Sequence, residues 1–224
     1  MKSPQRQLDF RRRTRAGKVA KRPGRKPTGR RRDPRHRTRP EVLPRHPVHV
    51  VLRVTHAVRN LRDLRMYRAI RAALRTCLAR ADYRVVHVSI QSNHLHLLVE
   101  ADDKQALARG MQGFAISAAK RLNRELGRAH GDVFAFRYHA TTITSPTQAR
   151  NAISYIVNNW RHHRCDRYRD WRTDPYSSAH ALWSLPQHAE RLPVVRPATW
   201  LLTDGYKRGD PIHPDEVPGP DPVP

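Results

Sequence analysis

Two histidines one residue apart in an apolar strand are the first residues of this chain whose types and spacing could do chemistry. They lie in NHLHLLVE, Asn93 to Glu100. Side chains alternate along a strand, so Leu95, Leu97 and Val99 face one way and His94 and His96 the other. The leucines gain by burial under helices, whereas two adjacent imidazoles gain nothing obvious from it. A metal ion would account for them, since neutral imidazole is a common ligand and residues i and i+2 converge on one point. Two histidines on a partly solvated sheet face remain the alternative. A second group follows downstream in AISYIVNNW, where Tyr155 and Asn159 are four residues apart and so share one side of a helix. A phenol can supply a nucleophile and an amide oxygen a metal ligand; read singly, each is also an ordinary helix residue.

The elements that must position these groups read as an α+β alternation. Val48, Val50, Leu52 and Val54 alternate as a first strand, and Leu64, Tyr67, Ile70, Leu74, Cys77 and Leu78 repeat as a first helix. Tyr83 to Ile90 and Asn93 to Glu100 are β-type runs joined by Gln91-Ser92, which predicts an antiparallel hairpin. Leu107, Met111, Phe114, Ala118, Leu122 and Leu126 predict a second helix starting near Asp102 or Asp103, and Arg137 to Thr144 a short strand. Ser145-Pro146-Thr147-Gln148 is a capping box with Pro at the first helical position, and Ala149, Ala152, Ile153, Ile156 and Trp160 form the buried stripe of the helix it starts. The order βαββαβα implies a ferredoxin-like antiparallel sheet with helices on one face. The other face, carrying His94 and His96, is expected to stay open.

Charge bounds the partners. The 224 residues carry 44 Lys and Arg against 19 Asp and Glu, a formal net charge of +25. Such an excess is neutralised best by a polyanion, so nucleic acid is the leading partner. No stretch approaches a spanning helix and no apolar signal core follows the basic start, so no membrane role is expected. Cys77 and Cys165 are too few for a disulfide framework and read as incidental thiols in a reducing cytoplasm. Four regions are expected. Residues 1–47 form a disordered Arg-rich arm with 18 Lys and Arg against 3 acids. Within it Arg25 and Lys26, between Pro and Gly, could lie extended along a minor groove. Residues 48–164 form the folded, periodic domain that carries the candidate chemistry, 165–208 an irregular extension, and 209–224 a loose acidic Pro-rich tail.

NHLHLLVE, ALARGMQGFAISAAKRLNR, VFAFRYHAT and AISYIVNNWRHHR, in this order, resemble the REP-associated tyrosine transposases. These are chromosomal relatives of the small single-tyrosine transposases of the histidine–hydrophobe–histidine (HUH) class. The resemblance runs from about His46 to Arg164. It implies that His94 and His96 bind a divalent ion, that Tyr155 attacks DNA, and that Asn159 completes the ligand set. NNW, Asn158 to Trp160, departs from the more usual Asn-Pro after the tyrosine and leaves the end of that helix open. The implied substrate is single-stranded DNA bearing a short palindromic hairpin, and a homodimer is a candidate state because single-tyrosine relatives often work as dimers.

The chemistry implied is strand cleavage and transfer through a 5′-phosphotyrosine, with Mg²⁺ or Mn²⁺ favoured over zinc because no thiolate is at hand and phosphate oxygens must bind. Arg137, Tyr138 and His139 before the tyrosine helix, and Arg161 and Arg164 closing it, are expected DNA contacts. The expected location is the cytoplasm, at the nucleoid. Two other readings stay in view: a non-catalytic basic nucleic-acid-binding protein, and a metal-dependent hydrolase in which water replaces Tyr155.

Overall fold

Alternating Val48, Val50 and Leu52 build the first strand, β1 (Val48–Arg53), and this strand is one of the two inner strands of a four-stranded sheet. The computed structural model describes residues 41–166, 170–183 and 190–218. Arg25, Lys26 and most of the expected basic arm lie outside the described residues. After β1 come α1 (Leu64–Leu74), β2 (Tyr83–Ile90), β3 (His94–Ala101), α2 (Lys104–Glu125), β4 (His139–Thr142), α3 (Pro146–His162) and the short α4 (Trp200–Thr203). The sheet order is β2-β3-β1-β4 with every pair antiparallel, the ferredoxin-like order expected from the βαββαβα pattern.

Local signals explain where the helices begin. Asp63 caps α1 by accepting from the Arg65 amide at 3.0 Å, and Asp103 caps α2 by accepting from Gln105 and Ala106, each at 2.7 Å. Ser145 caps α3, accepting from Gln148 N–H at 3.2 Å. The reciprocal bond of the box reaches one residue further back than usual: Gln148 Oε1 accepts from Thr144 N–H at 2.8 Å.

Helices α1 and α2 cover one face. Ile70, Ala73 and Leu74 of α1 and Leu107, Met111, Phe114 and Ala118 of α2 pack on Val50, Val88, Leu95, Leu97 and Val99. The approach of α2 to the sheet is close at Gly110, where an added Cβ would stand 2.3 Å from the Tyr83 ring.

The opposite face is not left open, which corrects one expectation. A smaller core of Val86, Leu98, Ile143, Ala149, Ile153, Ile156, Leu201 and Leu202 packs there, beneath α3. Its physical basis is the apolar stripe of α3, which must be buried against something, together with Leu98, which shares a strand face with the histidines. An irregularity between Val85 and His87 in the β2–β3 ladder turns Val86 to the same side.

The described residues of the C-terminal segment are anchored to the domain at several points. The buried carboxylate of Glu100 accepts from the Ala198 and Thr199 amides at the start of α4, at 2.8–3.0 Å. Asp174 forms a two-bond ion pair with Arg62, at 2.9 and 2.8 Å, and Arg62 stacks on Tyr176 at 4.4 Å. Residues 176–178 pair with the outer edge of β2, through Ile90 N–H to Tyr176 O and Ser178 N–H to Val88 O, both 2.8 Å. That covers an edge which would otherwise be open to pairing with another chain. Residues 210–216, expected as part of a loose tail, run along α3: Glu216 accepts from Arg150 and Ser154 at 2.8 Å, and the carbonyls of His213 and Pro214 accept from Asn158 and Arg161 at 2.9 Å.

Candidate active site

The face of β3 that carries His94 and His96 continues across β1. In the antiparallel register Arg53 lies opposite His94, Val51 opposite His96 and His49 opposite Leu98, so His49, Val51 and Arg53 share the histidine face. His49 therefore sits diagonally beside His96, and His49 Nε2 lies 3.0 Å from His96 Nδ1 with the rings stacked 5.2 Å apart. His94 takes up the neighbouring position, its ring 4.7 Å from that of His96 and its Nδ1 2.7 Å from Asn93 Oδ1.

The helix above supplies the remaining groups. Ile153 and Ile156 hold α3 on the sheet, while Ser154, Asn158 and Arg161 are bound by the C-terminal segment. The third side of the helix bears Tyr155, Asn159 and His163 at successive intervals of four. The half-buried Tyr155 ring stands 5.1 Å from that of His96 and 6.0 Å from that of His49, both edge-on. His163, at the cap of α3, lies 5.6 Å from His94. Tyr155 and the two histidines are thus drawn together within one chain, and Asn159 lies on the same side of α3, between Tyr155 and His163. The departure at Asn158 to Trp160 does not end the helix early: α3 runs on to His162, and Arg164, at φ 53°, breaks the path beyond.

The electrostatics favour neutral imidazoles. Burial, reinforced by neighbouring histidines, pushes the His96 pKa down to about 2. Burial, with His163 and Arg53 beside it, takes His94 to about 4, and burial with His139 nearby takes His49 to about 4. At neutral pH each ring keeps a lone pair for a ligand or a hydrogen. Burial raises the Tyr155 phenol, so it is protonated at rest.

Three polar atoms here are buried without a hydrogen-bond partner among the described residues: His96 Nε2, Asn159 Oδ1 and Asn159 Nδ2. Each such atom costs about 1–3 kcal/mol, so an imidazole nitrogen and an amide oxygen left bare together ask for an explanation. A divalent cation fits the first two, since both are neutral donors of the kind such ions accept. Among the described residues no group of three or more His, Cys, Asp or Glu is disposed to hold a metal, so a site here would be two imidazoles and an amide.

The expected DNA contacts separate. His139 is exposed and lies opposite Val51, on the histidine face, and Arg137 is exposed just before β4. Tyr138 packs instead against the helix-side core. Arg161 is engaged by the carbonyls of Pro214 and Arg172 and by Asp166 and Asp215, at 2.9–3.3 Å, and Arg164 is exposed. Sequence reasoning passed over His49 and Arg53, because their meeting with β3 depends on strand order. His163 continues the series of Tyr155 and Asn159 at intervals of four, a spacing the sequence alone displays.

The comparisons with known proteins agree with this architecture. No curated protein matches the chain. Among solved structures, a REP-associated tyrosine transposase bound to a REP hairpin is 13% identical and superposes over 74% of this chain and 99% of that one, with a TM-score of 0.52. At that identity the likeness bears on the fold alone. A structure from Deinococcus radiodurans R1, 15% identical over 54% of this chain and 92% of that one, has a TM-score of 0.38 and is too distant to add to it. The family model described as "Transposase IS200 like" matches residues 43–159, more than half the chain, from ahead of β1 through all four strands to Asn159. The chain belongs to the IS200-like transposase family.

Proposed function

We propose that this transposase-family enzyme cleaves and rejoins single-stranded DNA at hairpin-forming palindromic repeats, using Tyr155 as nucleophile and a divalent ion held by His94, His96 and Asn159. The observation that carries the reading is the meeting of the Tyr155 side of α3 with the histidine pair, where His96 Nε2 and Asn159 Oδ1 are buried and unpartnered. Hairpin DNA as substrate is drawn from the solved relative, whose own ligand is a REP hairpin. The basic arm of residues 1–47 belongs to the same proposal, as a sequence-independent grip on phosphates.

In the mechanism Tyr155 Oη attacks phosphorus. The Oη–P bond forms as the P–O3′ bond breaks; the phenol proton is released and the departing 3′ oxygen takes one up. The product is a 5′-phosphotyrosine and a free 3′-hydroxyl. A second 3′-hydroxyl reverses the sequence and frees Tyr155, so resealing needs no ATP. When bound, Mg²⁺ or Mn²⁺ supplies Lewis-acid polarisation of a non-bridging phosphate oxygen. α3 holds the phenol against the histidine face, and Ile153 and Ile156 fix the helix that carries it. Arg53, exposed beside His94, and His139, exposed on the same face, stand where a phosphate backbone would pass.

The test uses end-labelled single-stranded hairpin oligonucleotides with flanking genomic repeats, Mn²⁺ or Mg²⁺, and a denaturing gel. A protease-sensitive protein–DNA adduct that disappears in Tyr155→Phe and His94→Ala is the expected result. Cleavage surviving Tyr155→Phe would replace the transesterase with a hydrolase. Salt-sensitive binding without cleavage would leave a DNA-binding protein.

A further inference from the structure

The divalent-ion reading above leaves open what holds the His96 ring so that its outer nitrogen faces inward. We propose that His49 is a positioning residue that accepts the Nδ1–H of His96, and so fixes both the tautomer and the ring orientation in which His96 Nε2 is offered to the ion. This inference rests on that reading.

An imidazole that binds a metal through Nε2 carries its proton on Nδ1, and the Nδ1–H then needs an acceptor. His49 Nε2, at 3.0 Å, is the hydrogen-bond partner of His96 Nδ1. The reverse polarity would put the proton on His96 Nε2, which is buried and has no acceptor. An orphaned buried N–H is among the costliest arrangements in a protein interior, so the direction from His96 to His49 is favoured even before an ion binds. His94 repeats the design with a different partner: its Nδ1 lies 2.7 Å from Asn93 Oδ1. Both members of the histidine pair therefore have Nδ1 engaged, and among the described residues His96 Nε2 has no partner.

His49 is suited to orienting rather than to chemistry. It is fixed in an inner strand by pairing on both sides, with Leu98 and with Thr141. Its stacked contact with His96, at an interplanar angle of 26°, restrains the ring as well as the proton. Chain connectivity gives no hint of the pair, since 47 residues separate the two.

The experiment compares wild type, His49→Leu and His49→Gln. Mn²⁺ affinity is read by electron paramagnetic resonance, the His96 tautomer by long-range ¹⁵N–¹H NMR of metal-free protein, and folding by thermal unfolding in chelator. Leu fills the space without an acceptor; the Gln side-chain oxygen reaches close to the position of Nε2. His49→Leu should bind Mn²⁺ about 10- to 100-fold more weakly, the usual effect of removing such a partner, while His49→Gln recovers most of the loss. Wild-type His96 should carry its proton on Nδ1. Should His49→Leu fold poorly, the wild-type tautomer and His49→Gln still decide the matter. Wild-type affinity in His49→Leu, or a metal-free wild-type His96 protonated on Nε2, would overturn the proposal. Failure of wild type itself to take up Mn²⁺ would overturn the metal site, and the role of His49 with it.

Discussion

Replacing Asn159 by Leu should cost the metal-free protein at most about 1 kcal/mol, and more readily stabilise it, while abolishing its response to divalent ions. Asn159 is fully buried, and neither Oδ1 nor Nδ2 has a partner. Each bare polar atom costs about 1–3 kcal/mol, and removing both recovers that amount. Leu has the same branched outline but greater bulk, and overpacking a tight core costs about 1–3 kcal/mol in return. Two bare atoms recover about 2–6 kcal/mol against that cost, so the balance runs from a loss of about 1 kcal/mol to a gain of about 5 kcal/mol. Asn158, the adjacent residue, is the control. Its Oδ1 is bare too, but its Nδ2 donates to the His213 carbonyl at 2.9 Å, so Asn158→Leu recovers one atom instead of two and strands that carbonyl, and should be less stable than Asn159→Leu by about 2–6 kcal/mol. Urea unfolding in EDTA and again in excess Mn²⁺ reads both effects. Wild type should gain about 2.7 kcal/mol at a Mn²⁺ concentration a hundredfold above Kd, and Asn159→Leu almost nothing. If Asn159→Leu loses more than about 2 kcal/mol in EDTA, beyond what overpacking and the recovered polar cost leave room for, the amide is hydrogen-bonded in solution and the argument from its bare atoms fails.

Other parts of the fold make sharper stability predictions. Gly110→Ala drives a Cβ to 2.3 Å from the fully buried Tyr83 ring, and calorimetry should show Tm lowered by several degrees, for a cost of about 1–3 kcal/mol or more. Arg62→Ala leaves the Asp174 carboxylate buried and unpaired; urea titration should register a loss of about 3–5 kcal/mol, with residues 170–183 becoming open to protease. The tail clasp on α3 should weaken in acid. Partial burial raises the Glu216 pKa, but hydrogen bonds from Arg150 and Ser154 outweigh it and hold the carboxyl below its ordinary 4.5. Its contribution is thus complete above about pH 4.5 and is lost as the pH falls through the lower folded value. Hydrogen exchange in the His213 to Glu216 stretch should therefore quicken toward pH 3, relative to its intrinsic rate, in wild type but not in Glu216→Gln.

Much of this molecule was legible in local pattern. Period-two alternation placed Leu95, Leu97 and Val99 opposite His94 and His96, and the structure keeps that division, because successive strand residues must point to opposite faces. Spacing by four put Tyr155 and Asn159 on one side of a helix whose start was written in Ser145-Pro146-Thr147-Gln148. These are properties of a few adjacent residues, so the sequence alone determines them.

Which element meets which face is a different kind of question. His49 lies beside His96 only because β1 is inserted between β3 and β4, and that order is settled by burying Val48, Val50 and Leu52 under α1 and α2. The stripe of α3 called for an apolar partner, but only the assembled sheet offered Val86 and Leu98, and taking them carried Tyr155 to within 5.1 Å of His96. The C-terminal segment likewise reads as irregular chain until Arg62, Glu100 and Arg150 are in position to bind it. Local patterning chose the chemistry of the side chains; burial of apolar surface on both faces of one sheet chose their neighbours, because that gain is summed over the whole fold and belongs to no single segment.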